Sequence, residues 1–204
     1  LSRGLGDVYK RQAMYDIGLG GCLYAPSGID IPALTHIVDE HGSEAFKVYA
    51  SQHGGSSGDF SWRDEHLSAG GTLDLFLPCA ASQTVTGGAA KKMVEMGLKY
   101  VSEGANNPTT PEADAQFLEA GVTLIPDVLA NAGGVAGSYM EMSKAASMSI
   151  PTEKETLEAV RGILTSAWEQ VMAACDSYGT PSLRLAGDAL AVSKIAAAHQ
   201  IRGW

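Results

Sequence analysis

Hydrophobic and polar positions change period several times along the chain, and each change marks an element. Thr72-Leu-Asp-Leu-Phe-Leu77 is short and mostly apolar, the pattern of a buried strand, and Pro78 stops it because proline has no amide to donate. A helix is predicted over roughly residues 84–96, followed by the strand-like run Leu98-Lys-Tyr-Val-Ser102. Thr109 or Thr110 then caps a helix with Pro111 and Glu112 in its first turn. Val122-Thr-Leu-Ile125 reads as the next strand. After Asn131 the period becomes helical, with Val135, Tyr139 and Met142 on one face. Thr152 and Glu155 form a capping box that opens a long helix to about Tyr178. Its apolar stripe includes Leu157, Val160, Ile163, Leu164, Trp168 and Val171. An alanine-rich helix over roughly 184–201 closes the chain.

The strand–helix–strand–helix–strand alternation predicts an α/β fold with a parallel sheet and a helical C-terminal third. Upstream the pattern is thinner. Residues 13–16 read as the end of a strand, and Gly18 to Gly21 as a turn. Asp30 caps a helix with Pro32 in its first turn and Leu34, Ile37 and Val38 on its buried face. Residues 51–71 are rich in Gly and Ser and read as a loop excursion. Residues 1–12 have no apolar period and no caps, and they are similar to translated sequencing-adapter read-through. They are set aside as a non-native segment, and the native chain is expected to begin upstream.

Composition narrows the function classes. The chain has 204 residues, 45% hydrophobic, enough for a substantial core. A formal charge of -9 argues against a general nucleic-acid role. No apolar run approaches the roughly 20 residues a membrane helix needs. Cys22, Cys79 and Cys175 are scattered, with neither disulfide nor zinc spacing, which favours a reducing, cytoplasmic setting. His36, His41, His53, His66 and His199 show no metal spacing, so no metal site is expected.

Candidate chemistry collects at the ends of the predicted strands, where open α/β sheets bind ligands. Pro78-Cys-Ala-Ala-Ser-Gln83 is built of small residues that let a ligand approach the backbone, although an ordinary strand-to-helix turn reads the same way. Asn106 and Asn131 each sit in a turn after a strand. An amide offers donors and an acceptor without charge, which suits a carboxamide or a ribose hydroxyl beside a ring that becomes cationic. Asn also tolerates turn geometry for its own sake, so both readings stand for the pair. Ser138, near the face of Val135, places a hydroxyl where a carboxylate could bind; bonding back to a carbonyl one turn earlier is the structural alternative. Cys79 has no neighbouring His in sequence, so it is not read as a nucleophile.

Three motifs in series carry a resemblance. Pro78-Cys-Ala80, Glu103-Gly-Ala-Asn106-x-Pro-Thr-Thr-x-Glu-Ala113 and Asn131-Ala-Gly-Gly-Val135-x-x-Ser138-x-x-Glu-Met-Ser143 resemble the C-terminal, dinucleotide-binding half of the glutamate dehydrogenases. The resemblance covers about residues 16–200 and is strongest over 72–145. It implies a Rossmann-like sheet lacking its first βα unit over 13–145, with C-terminal helices over 146–204 packing on it. It implies NAD or NADP as cofactor, and oxidation of L-glutamate to 2-oxoglutarate and ammonium. The cofactor-binding positions it implies are Asp16, Ala80, Gln83, Asn106 and Asn131. The substrate-binding positions are Val135 and Ser138. The family's catalytic lysine and acid fall in a preceding domain, so no catalytic residue is assigned here and this chain alone is expected to be inactive. The full-length protein is expected to be a homo-oligomer, a hexamer by family.

Departures from the pattern are specific. Gln83 stands where the family often has Asn, so that contact is expected to lengthen or be lost. The spacing around residues 16–26 does not align cleanly, which leaves NAD and NADP both open. Gly187-Asp-Ala189 fits the Gly-Ala-Asn of the family's last helix only with a shift. A related leucine, phenylalanine or valine dehydrogenase is the neighbouring alternative, and a noncatalytic nucleotide-binding remnant the more distant one.

Overall fold

The structure, a computed structural model, describes residues 13–16, 19–58, 71–146 and 151–203. The adapter-like segment 1–12, Gly18 of the expected turn and most of the Gly/Ser-rich stretch lie outside the described residues. Two compact units divide between Gly71 and Thr72.

In the first unit, β1 (Ala13–Asp16), β2 (Gly21–Tyr24) and β3 (Ser56–Gly58) form an antiparallel sheet in that order. The register pairs Ala13 with Tyr24, and Cys22 with Gly58. α1 (Ile31–His41) starts where predicted, with the Asp30 carboxylate accepting from the Ala33 amide at 3.0 Å. α2 (Ala45–His53) follows a single 3-10 turn. Leu23, Leu34, Ile37, Phe46 and Tyr49 close the core of this unit. The Tyr49 hydroxyl accepts from the Asp30 amide at 2.7 Å and so pins the start of α1 to α2. The antiparallel sheet and α2 were not predicted. Gly21, read as part of a turn, instead begins β2, whose four residues are all buried.

The second unit carries the expected parallel sheet. β4 (Leu75–Phe76), β5 (Tyr100–Ser102) and β6 (Thr123–Ile125) lie in that order, with Phe76 opposite Val101 and Val101 opposite Leu124. α3 (Gly87–Glu95) and α4 (Pro111–Glu119) make the two crossovers and pack on each other. Their caps are Thr86 and Thr110, whose side chains accept from the amides of Ala89 and Ala113. The core gathers Val85, Ala90, Met93, Val101, Phe117 and Val122. β4 is two residues long instead of the predicted six. On one side the Leu73 amide turns to the Met96 carbonyl, and on the other Pro78 ends the ladder.

α5 (Asp127–Ala130) and α6 (Gly133–Ala146) follow β6. α7 (Glu153–Tyr178) opens with the predicted capping box and ends at Gly179, whose φ of 62° is the left-handed turn that glycine adopts without strain. α8 (Leu183–Arg202) folds back along α7. Val171, Ala174, Leu183 and Ala186 bury together against Ile125 of β6 and Leu129 of α5, which docks this helical hairpin on the sheet edge. The predicted apolar stripes form helices but are not covered throughout. On α6, Val135, Tyr139 and Met142 are 71%, 65% and 74% exposed, and Leu157 and Ile163 of α7 are exposed too.

Candidate functional site

Three loops leave the carboxyl ends of β4, β5 and β6, and hydrogen bonds stitch them into one rim. The first loop joins the second through backbone. The Gln83 amide donates to the Asn107 carbonyl at 2.8 Å, the Val85 amide to the Pro108 carbonyl at 2.9 Å, and the Thr110 amide to the Val85 carbonyl at 3.0 Å. Side chains reinforce the seam. The Ser82 hydroxyl donates to the Asn106 carbonyl at 2.7 Å, and Gln83 Nε2 to the Asn107 carbonyl at 3.2 Å. Gln83 and Asn107 both have positive φ, 56° and 45°. Asn tolerates this region; Gln does so rarely, and here its backbone and side chain both hold the neighbouring loop.

Close packing continues under the rim. The Gly104 and Ala105 amides both donate to the Pro78 carbonyl, at 3.0 and 2.9 Å. A Cβ on Gly104 would lie 2.5 Å from Cys79 Sγ, so only glycine fits beside the first loop without displacing the sulfur.

The second loop joins the third through side chains. Asn131 Nδ2 donates to Asn106 Oδ1 at 2.7 Å. The Asn107 amide donates to Asp127 Oδ2 at 2.8 Å, and the Asp127 amide to Glu103 Oε2 at 2.9 Å. Glu103 is completely buried. Its other oxygen accepts from Arg184 Nη2 of α8 at 2.7 Å. Arg184 Nε donates to Asp114 Oδ1 at 3.3 Å, and Nη1 lies 3.5 Å from Asp127 Oδ1. One guanidinium therefore meets carboxylates from the β5 loop, α4 and α5. Burial pulls the Arg184 pKa down, but the bond to Glu103 and the charges of Glu103 and Asp114 outweigh it and raise it, so the guanidinium is charged.

The predicted site residues distribute as follows. Asn106, Asn131 and Gln83 come together in the rim, with Ala80 exposed on the first loop. Val135 and Ser138 lie three apart on α6, on one helical face, and both are exposed. Asp16 is exposed at the end of β1 in the other unit, paired with Gly21 across the strands. Among the described residues no group of acids, histidines and cysteines could hold a metal ion. Ser82, Asp114, Asp127 and Arg184 are the contributors that sequence reading missed. Arg184 did leave a signal. It sits in the first turn of α8, where a cation is disfavoured by the helix dipole, so its charge must be satisfied by something outside its own helix.

The rim can recognise a neutral polar group. The mutual bond of the two Asn side chains leaves Asn106 Nδ2 as a donor and Asn131 Oδ1 as an acceptor with no hydrogen bond among the described residues. A donor and an acceptor side by side complement a carboxamide.

Comparison with known proteins identifies the family. Residues 12–203 match the family model described as glutamate/leucine/phenylalanine/valine dehydrogenase. The chain is 33% identical over 191 residues to an NADP-specific glutamate dehydrogenase of Halobacterium salinarum, covering 89% of this chain and 45% of that one. It is 32% identical over 184 residues to a catabolic NAD-specific glutamate dehydrogenase of Bacillus subtilis, covering 90% and 40%. The solved glutamate dehydrogenase of Peptoniphilus asaccharolyticus superposes with a TM-score of 0.68 at 30% identity, covering 96% of this chain and 41% of that one. The chain thus spans less than half the length of the curated relatives it matches. With motifs, fold and family model in agreement, this chain belongs to the glutamate/leucine/phenylalanine/valine dehydrogenase family.

Proposed function

We propose that this chain is the dinucleotide-binding part of a glutamate dehydrogenase that converts L-glutamate, NAD(P)+ and water to 2-oxoglutarate, ammonium and NAD(P)H. The observation that carries the reading is the Asn106–Asn131 pair, in the loop after β5 and at the end of α5, with its spare donor and acceptor. The dinucleotide, when bound, accepts the hydride. Asn106 and Asn131 hold its carboxamide and ribose without placing a fixed charge beside a ring whose charge changes in the reaction. Ala80 and Gln83 line the same rim, and Asp16 is assigned to the cofactor from the family resemblance. Val135 packs on the glutamate carbon chain, and the Ser138 hydroxyl donates to its side-chain carboxylate. The resemblance assigns the catalytic lysine and acid to a preceding domain, and on this reading the 204 residues alone do not turn over glutamate. The whole protein is a cytoplasmic homo-oligomer, a hexamer by family; no helix among the described residues is long and apolar enough to cross a membrane.

Titration of the chain with NADH and NADPH, followed by nicotinamide fluorescence, tests the cofactor reading. Weak saturable binding is expected, and Asn106→Ala or Asn131→Ala should weaken it by about tenfold, the value of one oriented hydrogen bond. Absence of binding at millimolar dinucleotide would overturn it. Substrate choice is tested in the intact enzyme. Ser138→Ala should lower kcat/KM for glutamate by roughly 10- to 100-fold, because a hydrogen bond to a charged group is worth about 1.5–3 kcal/mol. An unchanged value would favour leucine, phenylalanine or valine as substrate.

A further inference from the structure

Arg184 stands on the last helix and belongs to no ligand-facing group, yet its contacts converge on the rim. We propose that Arg184 is a positioning residue: from α8 its guanidinium fixes the β5 and β6 loops at the separation that lets Asn131 bond Asn106. The inference rests on reading that pair as the dinucleotide-facing feature.

Asp127 is the pivot. Its backbone begins α5, and Asn131 is the residue that ends α5. Its carboxylate holds the Asn107 amide at 2.8 Å, directly beside Asn106. Whatever orients Asp127 therefore orients both Asn side chains. Asp127 is gripped three times: its amide donates to Glu103 Oε2 at 2.9 Å, and its Oδ1 accepts from the Val128 amide at 2.9 Å and faces Arg184 Nη1 at 3.5 Å. Glu103 is in turn held by Arg184 Nη2 at 2.7 Å. Nε of the same guanidinium reaches Asp114 of α4 at 3.3 Å. A guanidinium is flat and its donors point in fixed directions, so engaging three carboxylates sets their mutual angle as well as their charge balance. A lysine ammonium would supply the charge without the fork.

The side-chain amide resonance of Asn131, identified by its loss in Asn131→Asp, reads the pair directly and without cofactor. In the 204-residue chain it is expected to be displaced downfield and protected from exchange. In Arg184→Lys it should move to the position of a free amide and exchange fast, while far-UV helicity is retained. NADH affinity should fall by about tenfold in the same variant. An Asn131 resonance that stays unchanged in folded Arg184→Lys would overturn the proposal. If that variant does not fold, Arg184→Gln with Glu103→Gln removes the buried carboxylate along with its partner. Loss of the Asn131 signal there supports positioning; its retention overturns it. Should the parent chain bind no dinucleotide, the functional reading fails, and the amide resonance still decides whether Arg184 sets the pair.

Discussion

Glu103 and Arg184 are 81 residues apart in the chain and 2.7 Å apart in the fold. Glu103 is wholly buried, so its carboxylate has no water to fall back on. Arg184→Met should destabilise the second unit by about 3–5 kcal/mol, because it leaves an uncompensated buried charge. In a Glu103→Gln background the same substitution should cost much less, since the charge is already gone. Urea denaturation of the four proteins in this cycle measures the coupling. Equal costs in the two backgrounds would show that the pair does not act as one.

Gly104 is fixed by its neighbour. Its missing side chain makes room for Cys79 Sγ, which a Cβ would approach to 2.5 Å, with Cys79 Cβ at 3.5 Å behind it. The sulfur can swing away, so Gly104→Ala should cost about 1 kcal/mol, the low end for inserting one carbon into a packed site. Cys79→Ala should recover most of that loss. Thermal melts of the single and double variants check this, and no recovery in the double variant would place the strain elsewhere.

Asn131→Asp tests the neutrality of the rim. The aspartate cannot donate to Asn106 Oδ1, so two acceptors would face each other where one bond at 2.7 Å stood. It also puts a negative charge where the proposed nicotinamide lies. Oxidised dinucleotide carries a positive ring and the reduced form does not. Two unit charges about 4 Å apart in water attract by about 1 kcal/mol. The affinity ratio should therefore shift toward the oxidised form by roughly fivefold, while both affinities fall. Paired calorimetric titrations of the two forms measure the ratio, and no change in it would argue that the ring sits elsewhere.

The capping box of α7 predicts a pH dependence. Glu155 is held below its ordinary value of 4.5 by hydrogen bonds from the Thr152 amide and hydroxyl, with a smaller contribution from Lys144. Its folded pKa is the depressed one, so the contribution is complete above the unfolded value and is lost as pH falls through the folded value. As pH falls below about 4.5 and through the lowered folded value, the first turn of α7 should fray. Hydrogen exchange of residues 153–156 measures this fraying, and Glu155→Gln should remove its pH dependence. Fraying that persists unchanged in that variant would assign it to another carboxyl.

Local signals proved readable where one short stretch contains both partners. Asp30, Thr110 and the Thr152–Glu155 box were visible because a cap and its amide lie three residues apart. β5 and β6 stood out as apolar runs between turns, and the long α7 and α8 as sustained helical periods. The first unit was harder to read. Ser56-Ser-Gly58 has no apolar pattern, and it is a strand only because Cys22, Leu23 and Tyr24 offer it a register. Helical stripes also revealed their period without revealing what covers them, so Tyr139 and Met142 lie on a regular face that stays exposed.

Although the one-turn helix α5 between β6 and Asn131 was not legible in it, the sequence by itself determined the α/β alternation of the second unit, the helical C-terminal third, and the placing of Asn106 in a turn after a strand. These follow from short-range chemistry: amide capping, side-chain period, and the conformational limits of Pro and Gly. Only the tertiary structure decided that Asn131 bonds Asn106, that Glu103 is buried, and that Arg184 reaches it across 81 residues. No period or spacing connects such partners, because their meeting depends on how two helices and three strand ends pack, and a buried charge finds its counter-charge only once that packing exists.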